Sequence, residues 1–481
     1  MLASHGNRSA SYNLYRTANL TREPMVYVGA NDGMLHGFLG SNGVEIFAYV
    51  PYGVYSNLSK LTAPTYEHKF FVDGGITVSD AYLGGSWKTI LVAGLNAGGN
   101  TVYAIDVSRP GSTDDSDVLW EFSESDLGLS YSQPQIGILE NGKWVAVFGN
   151  GYNSGNGGAY LYVVDLETGN QLAKIRASDI PGNEGNGLST PLLYDSDGDK
   201  LIDTVYAGDL LGNMWKFDVS GVASASWNTA FAGAPLFTAR SATNTVQPIT
   251  AQPKAAAHPS GGSIVMFGTG RYLTYADVSD SAIQTFYGIR DDGVNPIMTT
   301  DRSQLQVQLI DLQTTGFGRD VRSFTGNSPD WITKVGWYVD LRDGVLAVGE
   351  RVISTPIVKE DRVIFVTAVP SSDPCTPGGT SWLMELNFLT GGTFDEAVLD
   401  LNNDGLFDDK DNVNNEVIGG VRNQALGISK TPVWLQATPN SAFKIMTGTS
   451  GGFQTERNRT SVPPPVPGAN TVLRRSWVQI R

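Results

Sequence analysis

Val205-Tyr206-Ala207-Gly208-Asp209-Leu210-Leu211-Gly212-Asn213-Met214-Trp215-Lys216-Phe217-Asp218 reads as an apolar strand, a turn built on Gly and Asp, and a second strand of alternating polarity. Val26-Tyr27-Val28-Gly29-Ala30-Asn31-Asp32-Gly33-Met34-Leu35-His36-Gly37-Phe38 repeats the pattern almost position for position. A third copy has a longer turn: Val147-Phe148-Gly149-Asn150-Gly151 passes through Gly155 and Gly158 into Ala159-Tyr160-Leu161-Tyr162-Val163-Val164-Asp165, closed by Leu166-Glu167-Thr168-Gly169. These are hairpins of one type, and their recurrence predicts a repeat architecture.

A second recurring element precedes several hairpins: Ser132-Gln133-Pro134, Ser189-Thr190-Pro191, Ala251-Gln252-Pro253, Ser354-Thr355-Pro356 and Lys430-Thr431-Pro432. Proline has no amide to donate, so it suits the first residue of a strand rather than its middle. Each motif is therefore expected to open a sheet. With the first hairpin and the segment leading into Trp87-Lys88-Thr89-Ile90-Leu91-Val92-Ala93-Gly94, they make about seven units at spacings of roughly 55 to 100 residues. Radial repetition of small antiparallel sheets makes a β-propeller, which protects most strand edges. The expectation is an all-β propeller of about seven blades, a single domain over 1–481. A tandem array of β-sandwiches is the alternative, but it would show linker-like shifts in composition between modules, and none is evident.

The longer spacings are read as loop insertions, about Leu273 to Gly336 and Gly391 to Gly427, both polar and turn-rich. Ser461-Val462-Pro463-Pro464-Pro465-Val466-Pro467 reads as an extended linker. Beyond it, Val472-Leu473-Arg474-Arg475-Ser476-Trp477-Val478-Gln479-Ile480 regains alternation and is expected to close the ring against the N-terminal sheet.

Composition agrees with a folded β protein. Hydrophobic residues (41%) and aromatics (10%) supply a large core, and 17% charged residues exclude a disordered polyelectrolyte. The 56 glycines in 481 residues exceed the roughly 7% of average usage without a collagen-like period, as a turn-rich β chain requires. Lys and Arg number 33 against 48 Asp and Glu, a net charge of −15. That balance sets nucleic acid aside, since a phosphate backbone recruits basic patches, and it attracts cations rather than anionic lipid. No window approaches the run of about 20 apolar residues of a spanning helix. The opening residues lack the apolar core of a secretory signal, which fits a cytoplasmic protein and equally a fragment whose export signal lies upstream. The single cysteine, Cys375, excludes a disulfide within the chain and reads as a bland thiol, because nothing near it supplies a base.

Two acidic loops carry the chemistry. Asp195, Asp197, Asp199 and Asp203 occupy positions 1, 3, 5 and 9 of the first, with the Leu201 carbonyl at position 7. Asp400, Asn402, Asp404, the Leu406 carbonyl and Asp408 repeat that register in the second, where Gly405 stands at position 6 and Asp411 at position 12, as in an EF-hand loop. The first loop departs from the EF-hand, with Gly198 at position 4, Lys200 at 6 and Tyr206 at 12, and is expected to follow truncated nine-residue loops completed by water. Alternate oxygens in a tight turn converge on one centre, and Ca²⁺ takes six to eight of them, whereas Mg²⁺ rarely uses dedicated protein cages. Solvated acidic turns are common, but four register matches in each loop argue against that reading. A cation in the first loop would rigidify the approach to the Val205 hairpin, a structural or regulatory role.

Catalytic signals are poor. His5, His36, His68 and His258 show no metal-protease spacing, and no nucleophile elbow occurs. His36 reads as a packed ring within a strand, and turn chemistry accounts for Asn31-Asp32-Gly33. An enzyme is not expected.

The stretches Tyr27 to His36, Phe148-Gly149-Asn150-Gly151-Tyr152-Asn153-Ser154, Tyr206 to Trp215 and Phe267-Gly268-Thr269-Gly270-Arg271-Tyr272-Leu273 together resemble the C-terminal domain of the PilC/PilY family of type IV pilus tip-associated proteins. The resemblance covers essentially the whole chain, down to Arg474-Arg475-Ser476-Trp477. It implies a modified quinoprotein-like β-propeller and a role in pilus biogenesis, twitching motility and surface adhesion. It also implies minor pilins and a host-surface ligand as partners, and a place at the pilus tip or cell surface reached by export through the periplasm and outer membrane. A calcium loop that opposes the retraction motor when occupied carries over to Asp195, Asp197, Asp199, Leu201 and Asp203. Full-length family members have a variable N-terminal half, often with a von Willebrand A-like module; this chain lacks it and is expected to be the C-terminal half of a larger protein. No Arg-Gly-Asp triplet occurs, so integrin binding through that motif is not expected. The rival reading is a quinone-dependent dehydrogenase, whose blade signatures resemble Asp165-Leu166-Glu167-Thr168-Gly169. Such enzymes place an adjacent cysteine pair by the cofactor, and Cys375 alone cannot supply it.

Overall fold

Among the described residues seven sheets, of which the fifth and sixth interleave in sequence, form the seven blades of a β-propeller, as the recurring hairpins predict. The computed structural model describes residues 2–111, 114–177, 185–297, 302–373 and 378–460. Cys375 and the tail from Ser461, with the strand expected at Val472 to Ile480, lie outside the described residues.

Each proline motif sits where its chemistry places it. Pro134, Pro191, Pro253, Pro356 and Pro432 directly precede Gln135–Ile138, Leu192–Tyr194, Lys254–Ala257, Ile357–Lys359 and Val433–Thr438, and each of these strands is an edge of its sheet. The residues before the proline tie one blade to the next. Ser132 Oγ donates to the Ser189 carbonyl (3.1 Å), and the Gln133 amide donates to Thr190 Oγ1 (3.0 Å). Gln133 Nε2 reaches back to the Ile76 carbonyl (3.0 Å), and Thr431 Oγ1 donates to the Thr355 carbonyl.

The described chain packs as two compact units, one from residues up to Val205 with Phe217–Gly233, the other from Tyr206–Lys216 with residues from Ala234 onward. In the first unit, the strand Ser86–Gly94 is buried along most of its length. Its side chains alternate between two clusters: Ile90 and Val92 join Trp120, Phe148 and Tyr162, whereas Leu91 and Ala93 join Leu35, Phe71 and Tyr103. The period of two explains the unbroken apolar run, because a blade packed on both faces has no polar side to show. The second unit repeats the device in Arg362–Pro370. Val363 and Phe365 pack with Phe286 and Trp337, and Ile364 and Val366 with Leu383 and Met446. Phe286 and Phe365 stack with ring centroids 3.8 Å apart.

The two stretches read as insertions hold Gln284–Asp291, Leu305–Gln308, Ile310–Gly316 and Arg319–Phe324 in the first, and Gly420–Asn423 in the second. These strands widen the fifth and sixth sheets to five and six strands. The fifth sheet contains a parallel pair, Leu305–Gln308 beside Gly336–Leu341. The two longest helical elements among the described residues have no counterpart in the sequence expectations, the α-helix Leu2–Ala18 and the 3-10 helix Tyr52–Thr62; the first is the longer. It meets the second sheet through the Tyr12 ring, 4.6 Å from that of Trp87, and through polar groups: Tyr12 Oη donates to Asp80 Oδ2 (2.9 Å), Tyr15 Oη meets Thr89 Oγ1 (2.8 Å), and Trp87 Nε1 donates to Ser11 Oγ (3.0 Å).

The first hairpin corrects one expectation. His36 is not simply a packed ring; its Nδ1 lies 2.6 Å from Glu45 Oε1 and its Nε2 2.9 Å from Asp32 Oδ2. The Glu45 hydrogen bond, opposed by burial and reinforced by Asp32, raises its pKa above the ordinary 6.5. A raised value gives stability that is fully present below the unfolded pKa and is lost as pH rises through the folded one. Glu45→Gln should therefore lower the melting temperature more at about pH 6 than at about pH 9. Equal shifts in circular-dichroism melts at the two pH values would contradict this.

Candidate metal centres

The first acidic loop joins Leu192–Tyr194 to Thr204–Gly208. Asp195, Asp197 and Asp203 each bring a carboxylate oxygen within 4.8 Å of the others, and among the described residues no other three His, Cys, Asp or Glu side chains gather so closely. The backbone produces this convergence. Left-handed φ values at Gly198 (+88°) and Lys200 (+75°) bend the chain twice. The amides released by those bends turn onto side chains of the loop itself: Gly198 donates to Asp195 Oδ1 (2.6 Å), Lys200 to Asp195 Oδ2 (2.7 Å) and Asp199 to Asp197 Oδ1 (3.2 Å). Asp203 is buried and held by Ser196, whose amide donates to Oδ2 (2.9 Å) and whose hydroxyl donates to Oδ1 (2.8 Å). Asp199 stands outside the cluster of three and accepts the Leu201 amide (2.7 Å). The Leu201 side chain is buried, and the Ile202 amide binds the Ile138 carbonyl (2.9 Å), so the loop's last turn is pinned to the third sheet. Sequence reasoning missed Ser196, whose signal is no more than a hydroxyl at position 2.

The second loop follows the same scheme. Its position-6 amide, Gly405, donates to Asp400 Oδ2 (3.0 Å), Asp404 to Asn402 Oδ1 (2.8 Å) and Leu406 to Asp404 Oδ1 (2.8 Å). Positive φ again falls at positions 4 and 6, on Asn403 (+60°) and Gly405 (+86°). The closing acid differs. Asp411 takes the Leu401 amide (2.7 Å) and the Asn402 amide (3.2 Å) on Oδ1, and the Asp408 amide (3.2 Å) on Oδ2. Position 9 closes the short loop and position 12 the long one, the difference between a truncated and an EF-hand register. Asp408 caps a single helical turn through the Lys410 amide (2.9 Å). The Leu406 side chain is exposed, and the acids of this loop are not gathered as those of the first are. Burial, joined by the Asp400 charge, pushes the Asp411 carboxyl above its ordinary value. Both loops offer hard oxygen donors, the set that suits Ca²⁺.

A family model described as the PilY1 beta-propeller domain matches residues 1–318. The chain belongs to the PilY1 β-propeller family. A type IV pilus biogenesis factor PilY1 homolog of Xylella fastidiosa is 43% identical over 402 residues, covering 79% of this chain and 27% of the relative. The type IV pilus biogenesis factor PilY1 of Pseudomonas aeruginosa strain UCBPP-PA14 is 37% identical over 476 residues, covering 89% of this chain and 41% of the relative. The chain thus spans well under half the length of these PilY1 relatives. The crystal structure of the Pseudomonas aeruginosa PilY1 C-terminal domain matches with a TM-score of 0.80 at 33% identity, over 94% of this chain and 95% of that one.

Proposed function

We propose that this chain is a calcium-responsive propeller serving type IV pilus biogenesis at the pilus tip and cell surface. In this reading it binds minor pilins, supports adhesion and regulates extension, retraction and twitching motility. One observation supports the reading above the others: three carboxylate oxygens, from Asp195, Asp197 and Asp203, converge within 4.8 Å in a chain of the PilY1 family. Like charges so close repel unless a cation lies between them, and the donors are all oxygen, so the residues fit Ca²⁺. Asp195, Asp197 and Asp203, with Asp199 and the Leu201 carbonyl beside them, would hold the ion. The ion supplies cross-linking charge, and the chain converts it into stiffness, because Asp203 leads directly into Thr204–Gly208 and Ile202 is bonded to the third sheet. The reading is non-enzymatic, in keeping with relatives named as biogenesis factors. No helix among the described residues is long and apolar enough to cross a membrane.

Asp195→Ala combined with Asp203→Ala should remove one calcium equivalent in isothermal titration calorimetry. In cells, the same change in the full-length protein should alter the balance of pilus extension and retraction. Unaltered pilus dynamics despite the lost equivalent would separate calcium binding from the pilus role and overturn the regulatory part of the reading.

A further inference from the structure

The second loop holds a feature that its residue pattern does not contain. Asp400 is buried, at 3% exposure, and its Oδ1 has no hydrogen-bond partner among the described residues. Its Oδ2 accepts the Gly405 amide from the middle of the same loop, which aims the carboxylate into the turn. Buried polar atoms are almost always paired, so an orphaned carboxylate oxygen at position 1 of an acidic loop calls for a cation. The cation that the fold sets beside it is Arg457, with Nη1 3.6 Å from Asp400 Oδ2, beyond hydrogen-bond reach. The guanidinium lies over Gly405, where an added Cβ would stand 2.7 Å from Nη1, and its own Nε is buried without a partner. Arg457 belongs to the strand Phe453–Arg459, whose backbone is joined to the loop by a Leu399 to Asn458 bridge and by the Asp400 amide on the Arg457 carbonyl (3.4 Å).

We propose that Asp400, Asn402, Asp404, the Leu406 carbonyl and Asp411 form a second divalent-cation site, in which Ca²⁺ takes Asp400 Oδ1 and displaces the Arg457 guanidinium from the loop. Arg457 is then the resident counter-charge of the cation-free loop, and ion binding is an exchange of one cation for another. The exchange couples the loop to the last described strand, because the residue displaced is part of that strand. This site is independent of the first loop, so either can fail without the other.

The test is calcium titration of the full chain carrying Asp195→Ala and Asp203→Ala, which silences the first loop. One residual equivalent is expected, and adding Asp400→Asn should abolish it. Replacing Arg457 with Gln instead should tighten calcium binding by at least about two- to fivefold, since even an ion pair of surface strength removed from competition is worth that much. No residual equivalent in the silenced chain, with wild type binding one, would overturn the second site while leaving the first intact. An unchanged or weaker affinity in Arg457→Gln would overturn the exchange. If the silenced chain does not fold, Asp400→Asn is made in the wild-type chain: a drop from two equivalents to one supports the site, and no drop overturns it.

Discussion

Glu385→Ala is expected to destabilise the chain by about 3–5 kcal/mol, the usual cost of breaking a buried ion pair by removing one partner. Glu385 is 1% exposed. Its Oε2 lies 2.6 Å from Nζ of the fully buried Lys444, and its Oε1 accepts from Arg362 Nη1 (2.8 Å) and Asn458 Nδ2 (2.8 Å). Burial alone would raise this carboxyl, but Lys444 and Arg362 together hold it below its ordinary value. Without the carboxylate, Lys444 becomes a buried charge with its closest counter-ion gone. A depressed carboxylate contributes stability that is present above the unfolded pKa and is lost as pH falls through the folded one. The gap between wild type and Glu385→Gln in urea unfolding should therefore be widest near neutrality and close on acidification below about pH 4. A loss under about 1 kcal/mol at neutral pH would mean that the cluster contributes no more than a surface pair.

Trp215→Ala should cost a similar amount, about 3–5 kcal/mol, for a different reason. Trp215 is fully buried, and its Nε1 donates to Asp209 Oδ2 (2.8 Å). Asp209 is itself buried and organises the hairpin turn: Oδ1 accepts the amides of Leu211 and Asn213 (both 2.9 Å), and Oδ2 also accepts Asn213 Nδ2 (3.0 Å). Alanine removes both the ring's packing and the bond. Phenylalanine keeps most of the ring and loses the bond, so Trp215→Phe should cost about 1–3 kcal/mol. Equal losses for the two variants, measured as shifts in denaturant midpoint, would contradict packing as the larger contribution.

What was legible in the sequence is what the chain does within a few residues. The hairpin turns close alike, with the Ala30 amide on the Met34 carbonyl (2.9 Å) and the Asp209 amide on the Asn213 carbonyl (3.0 Å). Gly33 and Gly212 supply positive φ at the equivalent position of each. Prolines mark the opening strand because the missing amide acts at that one residue. The two acidic loops are local for the same reason, since their hydrogen bonds run between positions two to ten residues apart. Nothing local announces the Glu385 cluster, whose partners stand 23, 59 and 73 residues away on three other strands. Arg457 likewise reaches Asp400 only through the pairing of the last described strand. His36 reads as a packed ring until the hairpin folds and brings Glu45 across from the neighbouring strand. The helix Leu2–Ala18 carries little local signal because it is fastened by contacts to residues more than 65 positions away, Asp80, Trp87 and Thr89 among them.

The most direct measurement is the calcium content of the purified chain after equilibrium dialysis, read by atomic emission beside the Asp195→Ala, Asp203→Ala variant. The variant is expected to retain one calcium fewer per chain than wild type. Equal retention by the two would contradict calcium binding by the Asp195–Asp203 loop.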